Sequence, residues 1–310
     1  MGQAGGRARA GLSDPRQPAA GKRPGLGCQA ARGHVNCLLP PIRTCNPCAG
    51  VFFIQDNGLS WLMAISVIAS GSLILATGGI FHLLENHRPL EDIDRKRHLK
   101  FDLAVVVVTS LMVAGITIML IDGIVTQWLR DNVQLFDEAV TQPLWIRISL
   151  ALVVGDLGYY VAHRMMHTPL LWRTHVFHHS IQEIYWFSGL RTSAMNSLII
   201  RLPYLVAMCM FAIPASAIAS IAVCLGMVNF WVHSNLDVSL GPLDYLFITP
   251  PFHRVHHSMA EVALDRNFGN ILSCWDHLFG SAVKPSPALN SSEKGFEVES
   301  DQVARQLIGV

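Results

Sequence analysis

Long apolar stretches set the strongest limit on how this chain can fold. Residues 59–81 are 23 positions without a charge, and residues 103–121 are 19 more. Residues 144–162 form a third apolar stretch, interrupted only by Arg147 and Asp156. A helix rises about 1.5 Å per residue and a hydrocarbon core is about 30 Å thick, so each stretch is long enough to cross a membrane. The sequence therefore predicts three spans, in agreement with a mean hydropathy of +0.36.

A fourth stretch, residues 202–231, is 30 positions long and carries no charge. It is too long for one ordinary span and too short for two, since each crossing requires about 20 residues. Pro214 divides it, which predicts a tight hairpin of two short helices over residues 198–213 and 215–231. This hairpin would return His233 to the side of the membrane from which the chain entered.

Charge in the connecting loops predicts the orientation. Five basic residues separate the first two spans, whereas Arg130 is the one basic residue between the second and third. The five are Arg88, Arg95, Lys96, Arg97 and Lys100. Positive loops stay in the cytoplasm, so the first loop and the polar C-terminal region are expected there. The net charge of +1 provides no field that would hold a polyanion, and nucleic-acid binding is not expected.

The same features predict four regions along the chain. Residues 1–50 carry seven Lys or Arg against one acid, show no apolar period and are predicted to be a disordered arm. Residues 51–143 are expected to hold the N-terminal transmembrane helices, 144–283 a catalytic domain and 284–310 a C-terminal tail. The Cys45 and Cys48 pair has no second pair to complete a zinc site.

Histidine spacing carries the functional prediction. Eight of the 14 histidines lie in three boxes: His163 and His167; His175, His178 and His179; His253, His256 and His257. Helical residues at i, i+3 and i+4 share one face, so each box directs two or three imidazoles to a common point. Neutral imidazole binds Fe, Zn, Cu or Ni. Eight ligands exceed what one ion accepts, and two metal ions are expected.

Other interpretations of these histidines fit less well. Lone histidines are usually surface or packing residues, but the repeated spacing argues against that here. A zincin-type protease would need a Glu after His163, where Arg164 stands. A bis-histidine haem would leave most of the boxes unexplained. A second functional class, a histidine-rich membrane metal transporter, remains an alternative, although transport favours ligands within the spans.

The sequence resembles the fatty acid hydroxylase/sterol desaturase superfamily of membrane di-iron enzymes over about residues 155–281. The motifs that carry the resemblance are the three boxes, Asp156-Leu-Gly-Tyr-Tyr, Gly241-Pro-Leu-Asp-Tyr-Leu, Asn267-Phe-Gly and Trp275-Asp-His-Leu-Phe-Gly. Within the superfamily, these motifs are most similar to those of bacterial sterol desaturase-like proteins and of the alkylglycerol monooxygenase branch. The resemblance implies that the eight box histidines bind two iron ions. The expected fold is an all-α, polytopic integral membrane helical bundle with a cytoplasmic, histidine-rich di-metal cap.

Further site residues are expected around the boxes. His233 is predicted as a ninth ligand, and Asp237 is a weaker tenth candidate. Asp156 lies on the helical face of His163 and is predicted to be catalytic, either by orienting a ligand or by touching the substrate. Its alternative is a structural partnership with Arg201 or another span residue. Asp265 and Asp276 are weaker candidates for holding the ligands in place.

The resemblance implies O2-dependent hydroxylation of a lipid or sterol C–H bond, with a desaturase using the same site as the alternative. No nucleotide or haem motif is apparent, so electrons are expected from a small external carrier of the cytochrome b5 or ferredoxin type. The expected location is the bacterial inner membrane, or the endoplasmic reticulum in a eukaryote, with the site on the cytoplasmic face.

Overall fold

The fold of this protein is given by a computed structural model, which describes residues 57–119, 128, 132, 139–299 and 301–310. The predicted arm over residues 1–50, with Cys45 and Cys48, lies outside the described residues. Within the described part the chain is helical, with three isolated β-bridges and no strand. The prediction of an all-α fold is confirmed for these residues.

Three long helices contain most of the three apolar stretches that the sequence predicts as spans. They are α1 (Asn57–His87), α2 (Arg95–Met119) and α3 (Leu144–Met166). The shorter helices are α4 (Trp172–His175), α5 (Ala194–Met210), α6 (Ala215–Val232), α7 (Pro250–His256), α8 (Cys274–Leu278), α9 (Pro287–Asn290) and α10 (Val303–Ile308). Single 3-10 turns occur at His178–Ser180, Ser188–Leu190, Gly241–Tyr245 and Glu261–Ala263.

The described helices differ in how well they suit a membrane. Judged by length and composition, α3 is the helix of the described part that is both long and apolar enough to cross one, and α5 and α6 are apolar but shorter. Large apolar side chains are exposed on α1 and α2, such as Leu75 at 78% and Leu111 at 74%. Such surfaces normally face lipid or another protein. Crossing by several helices and a cytoplasmic cap stay predictions.

The long uncharged stretch is divided as predicted. Helix α5 ends at Met210, Ala212 adopts the left-handed conformation (φ 51°), and Pro214 stands directly before α6. The start of α5 and the end of α6 both lie beside the box histidines, because Asn196 contacts His175 and His233 contacts His178. The chain therefore turns back on itself, as the hairpin prediction requires.

Two glycines allow α5 to pack closely on α3. A Cβ added to Gly155 would lie 2.6 Å from Tyr204 Cδ1, and one added to Gly158 would lie 2.7 Å from Pro203 Cβ. Neither distance is tolerable for a real side chain, so larger residues at these positions would separate the two helices. Buried residues of both helices, including Ala151 and Tyr204, form the apolar core here.

Two buried carboxylates join α1 and α2 to the region that carries the histidines. Glu85 of α1 accepts hydrogen bonds from the backbone amides of Trp186 and Asn235, each at 2.8 Å. Asp102 of α2 accepts one from Arg191 Nε at 2.6 Å. A buried carboxylate without a partner costs several kcal/mol. These contacts therefore hold the first two helices in place, although nothing in the sequence singled out either acid.

Candidate metal centre

The nine histidines predicted as ligands lie near helix ends, where short connections bring them together. His163 stands in the last turn of α3 and His167 directly follows that helix. His233 follows the last residue of α6, and His257 follows the last residue of α7. Side chains at such ends can meet across several elements, because the chain turns at each of them.

The structure gathers all nine histidines into two groups. The five-histidine group consists of His163, His167, His175, His179 and His256. The four-histidine group consists of His178, His233, His253 and His257. Within each group the available ring nitrogens lie within 4.8 Å of one another, and most of the rings are buried. Asp237 belongs to neither group and is exposed.

The groups do not coincide with the sequence boxes. The second box places His175 and His179 in one group and His178 in the other. The third box is divided in the same way, with His256 separated from its neighbour His257. Consecutive helical residues point about 100° apart, so one box of this spacing can serve two adjacent centres.

The ring nitrogens of each group approach one another closely. In the five-histidine group, Nε2 of His163 lies 2.9 Å from Nε2 of His175, and Nε2 of His179 lies 3.0 Å from Nε2 of His256. In the four-histidine group, Nε2 of His233 is 3.2 Å from that of His178 and 3.1 Å from that of His253. The Nε2 atoms thus converge in the middle of each group.

Hydrogen bonds at the opposite ring nitrogen define the tautomer of six rings. In the five-histidine group the Nδ1 partners are Phe268 O for His163 (2.7 Å), Asp265 Oδ1 for His167 (3.0 Å), Asn196 Oδ1 for His175 (2.6 Å) and Arg266 O for His256 (2.8 Å). In the four-histidine group they are Arg191 O for His178 (2.9 Å) and Asn229 O for His233 (3.0 Å). Each partner oxygen can only accept, so Nδ1 carries the proton in these rings.

This arrangement fits a bound cation. A neutral ring with its proton on Nδ1 has a lone pair on Nε2. The Nε2 atoms of His163 and His175, and likewise those of His178 and His233, direct lone pairs at each other over about a hydrogen-bond length. Two such lone pairs repel unless a positive ion attracts both. Histidines that bind a metal through one ring nitrogen normally donate a hydrogen bond from the other, as these rings do from Nδ1.

Several buried ring nitrogens have no hydrogen-bond partner in the described part of the chain. Among the nine histidines these are Nε2 of His167, Nδ1 of His253 and both nitrogens of His257. A buried polar atom without a partner costs about 1–3 kcal/mol. A metal ion would satisfy Nε2 of His167 and one nitrogen of His257, which is a second indication that the residues present suit one.

Burial keeps these imidazoles neutral. It lowers the pKa of His175, His179 and His256 well below the ordinary value, and the neighbouring imidazoles lower it further. Burial lowers the pKa of His178 to about 4, although its hydrogen bond to Arg191 O acts in the opposite direction. A ligand must be deprotonated to bind a metal, so the rings outside α3 are ready for binding at neutral pH without losing a proton.

Asp265 and Asp276 act on the five-histidine group in different ways. Asp265 accepts the Nδ1 hydrogen of His167 directly. Asp276 accepts hydrogen bonds from the backbone amides of Phe268 and Gly269, each at 2.8 Å, and so holds this segment in place. The carbonyl oxygen of Phe268 in turn accepts the Nδ1 hydrogen of His163. Both residues are therefore in positions to orient predicted ligands.

Asp156 is buried, and its carboxylate accepts hydrogen bonds from groups other than the histidines. It accepts from the Tyr204 hydroxyl (2.5 Å), the amides of Ile271 and Leu272 (2.9 and 3.0 Å) and Trp275 Nε1 (3.0 Å). None of its described hydrogen bonds involves a histidine or Arg201. These contacts favour the structural alternative, in which Asp156 joins α3 to α5 and to residues 271–275. A catalytic role for Asp156 stays a prediction.

Asn196 is a site residue that the sequence did not indicate. Its side-chain oxygen accepts from His175, while its amide nitrogen donates to Thr192 Oγ1, which orients the group. Asn196 stands in the first turn of α5, after the capping residue Ser193. A polar residue at the start of an otherwise apolar helix is the signal that could have identified it.

A cavity of about 250 Å³ opens beside both groups. His175, His178 and His233 form part of its wall, and most of the remaining wall comes from α2, α5 and α6. Toward the turn between α5 and α6 the wall is apolar, as at Met208 and Ile218. A long apolar chain can therefore reach the histidines from within the helical region.

Comparison with known proteins agrees with the resemblance stated from the motifs. Residues 148–281 match the fatty acid hydroxylase family. An ornithine lipid hydroxylase of Rhizobium tropici is 31% identical over 155 residues, which are 50% of this chain and 46% of that protein. Human alkylglycerol monooxygenase is 33% identical over 184 residues, which are 58% of this chain and 37% of its own length.

A more distant relative is methylsterol monooxygenase 1 of Rattus norvegicus, 23% identical over 134 residues, or 43% of this chain and 45% of that protein. In each of these three comparisons the match spans less than half of the relative's length. No solved structure matches the chain. The matched region of 148–281 contains all nine histidines of the two groups.

Proposed function

We propose, on the premise that residues 148–281 of this chain belong to the fatty acid hydroxylase family, that the protein hydroxylates a C–H bond of a lipid or sterol with O2. The observation that carries the proposal is the convergence of nine imidazoles in two adjacent groups beside an apolar cavity. The relatives named as hydroxylases and monooxygenases of an ornithine lipid, an alkylglycerol and a methylsterol support a lipid substrate.

Iron is the proposed metal, with one ion in each group. The five-histidine group would hold one and the four-histidine group the other, both through ring nitrogens. Two bound iron ions would supply the activation of O2 that an unreactive C–H bond requires. In the balanced reaction, one oxygen atom enters the C–H bond. The other leaves as water, formed with two electrons and two protons from an external donor.

The residues of this chain contribute orientation and exclusion of water. Fixed acceptors such as Phe268 O and Asn196 Oδ1 hold the rings in the tautomer that directs Nε2 inward. The cavity wall would align the substrate chain so that one carbon faces His175, His178 and His233. A dry wall also protects a reactive intermediate from side reactions.

The electron donor is proposed to be a small carrier that docks on the cytoplasmic face. The five basic residues between the first two predicted spans support this orientation. A reporter that works only in the cytoplasm, fused after Ser281, should be active. A cysteine introduced at Gln142 should react with an impermeant thiol reagent from outside. A reporter active only on the outer side would contradict the proposed orientation.

The decisive test measures metal and product together. The purified full chain should contain about two iron ions, and membranes that contain it should convert a lipid extract, O2 and a reductant to a product with one added oxygen atom. The His178→Ala variant is the inactive control. A product that lacks two hydrogens instead would identify the protein as a desaturase. Iron without any O2-dependent change in lipids would contradict both enzyme proposals and favour metal transport.

A further inference from the structure

Arg201 is an isolated cation in the wall of the cavity. It is the one residue with a full charge in α5, and its side chain lines the cavity next to the histidines. It makes no hydrogen bond and no ion pair with any described residue. Asp156, for which Arg201 was one possible partner, accepts hydrogen bonds from Tyr204, Ile271 and other donors. An arginine in an apolar helix normally has a partner, because an unpaired charge there is costly.

No carboxylate in the described part of the chain lines this cavity. The other titratable side chains in its wall are His175, His178, His233, Tyr159 and Tyr204. The histidines are the proposed metal ligands, and a tyrosine hydroxyl is uncharged at neutral pH. Arg201 is exposed, and the wall presents its positive charge without a carboxylate to neutralise it, so an anionic group on an entering molecule would meet an unpaired cation there.

The wall is also divided by polarity along its length. Polar side chains such as Thr192, Asn196 and Asn229 lie near the histidines, whereas Met208 and Ile218 lie near the turn between α5 and α6. Helical side chains lean toward the N-terminal end of their helix. Arg201 is therefore expected to extend toward Asn196, which lies about 7.5 Å away along the helix axis.

We propose that Arg201 binds the phosphate or carboxylate of an anionic lipid, whose apolar chain extends toward Met208 and Ile218. The guanidinium group suits both anions, because it can donate two parallel hydrogen bonds. This inference deepens the proposed hydroxylation and rests on it. Its consequence is that the oxidised carbon lies in the half of the lipid chain near the anionic group.

Binding of simple probes tests the inference. The full chain, in a micelle of neutral detergent, is titrated with dodecyl phosphate, laurate and dodecanol, which share one chain length. We expect the unchanged protein to bind at least one of the two anions more tightly than the alcohol. Arg201→Met should weaken binding of that anion about tenfold or more and change dodecanol binding less than about twofold. The anion whose binding weakens more in Arg201→Met identifies phosphate or carboxylate as the preferred group.

Two further variants control the measurement. Arg201→Lys keeps the charge and should retain part of the preference for anions. Arg147→Met removes an arginine of α3 that does not line the cavity, and should bind all three probes as the unchanged protein does. If the unchanged protein binds the alcohol as tightly as both anions, the inference is overturned, whether or not the Met variant folds. Unchanged anion binding by Arg201→Met would also overturn it.

The failure of the proposed function has a different signature. Binding is measured on the metal-free and on the iron-loaded protein, so it does not depend on turnover. Loss of anion binding in Arg201→Met, together with an iron-loaded protein that oxidises no lipid, would support the anion site and contradict hydroxylation. Oxidation of a lipid at a carbon near its anionic group supports both.

Discussion

The five-histidine and four-histidine groups differ in how firmly their rings are held. In the five-histidine group, four of the five rings donate Nδ1–H to an oxygen acceptor, including the backbone oxygen of Phe268 and the exposed carboxylate of Asp265. In the four-histidine group, His178 and His233 do so, whereas Nδ1 of His253 and both nitrogens of His257 have no described partner. The first group is therefore preorganised by the protein.

The two histidine groups also differ in their position relative to the cavity. Two members of the four-histidine group, His178 and His233, line the cavity, compared with His175 alone from the other group. Ligand rings without fixed acceptors can adjust when a metal or substrate arrives, because nothing fixes their orientation. We therefore expect the five-histidine group to provide the more stable centre and the four-histidine group the more adaptable one.

The largest expected effect comes from removing one ring of each group. His256→Ala and His178→Ala should each lower activity by at least roughly a hundredfold and reduce bound iron by about one ion, since each deletes a proposed ligand. Iron analysis and turnover on the purified variants measure both. His98→Ala is the matched control, because this histidine belongs to neither group. If both ligand variants keep full iron and activity, the two-group interpretation is wrong.

A smaller effect is expected from Asp265→Asn. The variant replaces the carboxylate that accepts from His167, and metal affinity of the five-histidine group should fall about tenfold. Asn tolerates the left-handed backbone of this position (φ 55°), so the change adds no strain. Competition with a chelator of known affinity measures the change. Asp237→Asn is the control, and an equal loss of affinity in that variant would contradict a specific role for Asp265.

Removal of metal should distinguish the two groups in the unchanged protein. With a chelator in excess, we expect two phases of metal release. The four-histidine group should empty first, because fewer of its rings are held in place. Asp265→Asn should accelerate the slow phase and leave the fast phase unchanged. Acceleration of the fast phase instead would reverse the assignment of the two centres.

The smallest effect on metal is expected from Asp156→Asn. Four donors surround this carboxylate, so the amide should lower the free energy of unfolding by about 1–3 kcal/mol. Iron content should change by less than about twofold, because no described histidine bonds to Asp156. Thermal unfolding measures the loss, with the exposed Asp301→Asn as control. Unchanged stability together with lost activity would instead support a catalytic Asp156.

Sequence reasoning was most successful where local chemistry decides. The helices over the apolar stretches and the break at Pro214 follow from hydropathy and from the geometry of proline. Eight histidines could be named because repeated imidazole spacings of i, i+3 and i+4 are rarely accidental, and His233 because the hairpin returns it to their side. The motifs around them indicated the family whose model matches residues 148–281.

Apart from the carboxylate of Asp265, the sequence did not identify the oxygens that orient the rings. Four of them, on Phe268, Arg266, Arg191 and Asn229, are backbone carbonyls, and a carbonyl oxygen is the same at every residue. The sequence also left the partner of Asp156 open between Arg201 and another span residue. Asp156 and Arg201 are both charged and both in apolar helices, but only the packing of α3 on α5 shows that Tyr204 takes that place.

By itself the sequence determined that the described part of the chain is helical and that the chain turns back at Pro214, and it predicted nine imidazoles as metal ligands. The tertiary structure alone decided how those imidazoles are divided, which of them are held by fixed oxygens, and that an unpaired Arg201 lies in the cavity beside them. The physical reason is that helical periodicity operates over neighbouring turns. The meeting of side chains at a common point depends on how distant helices pack, which no local pattern records.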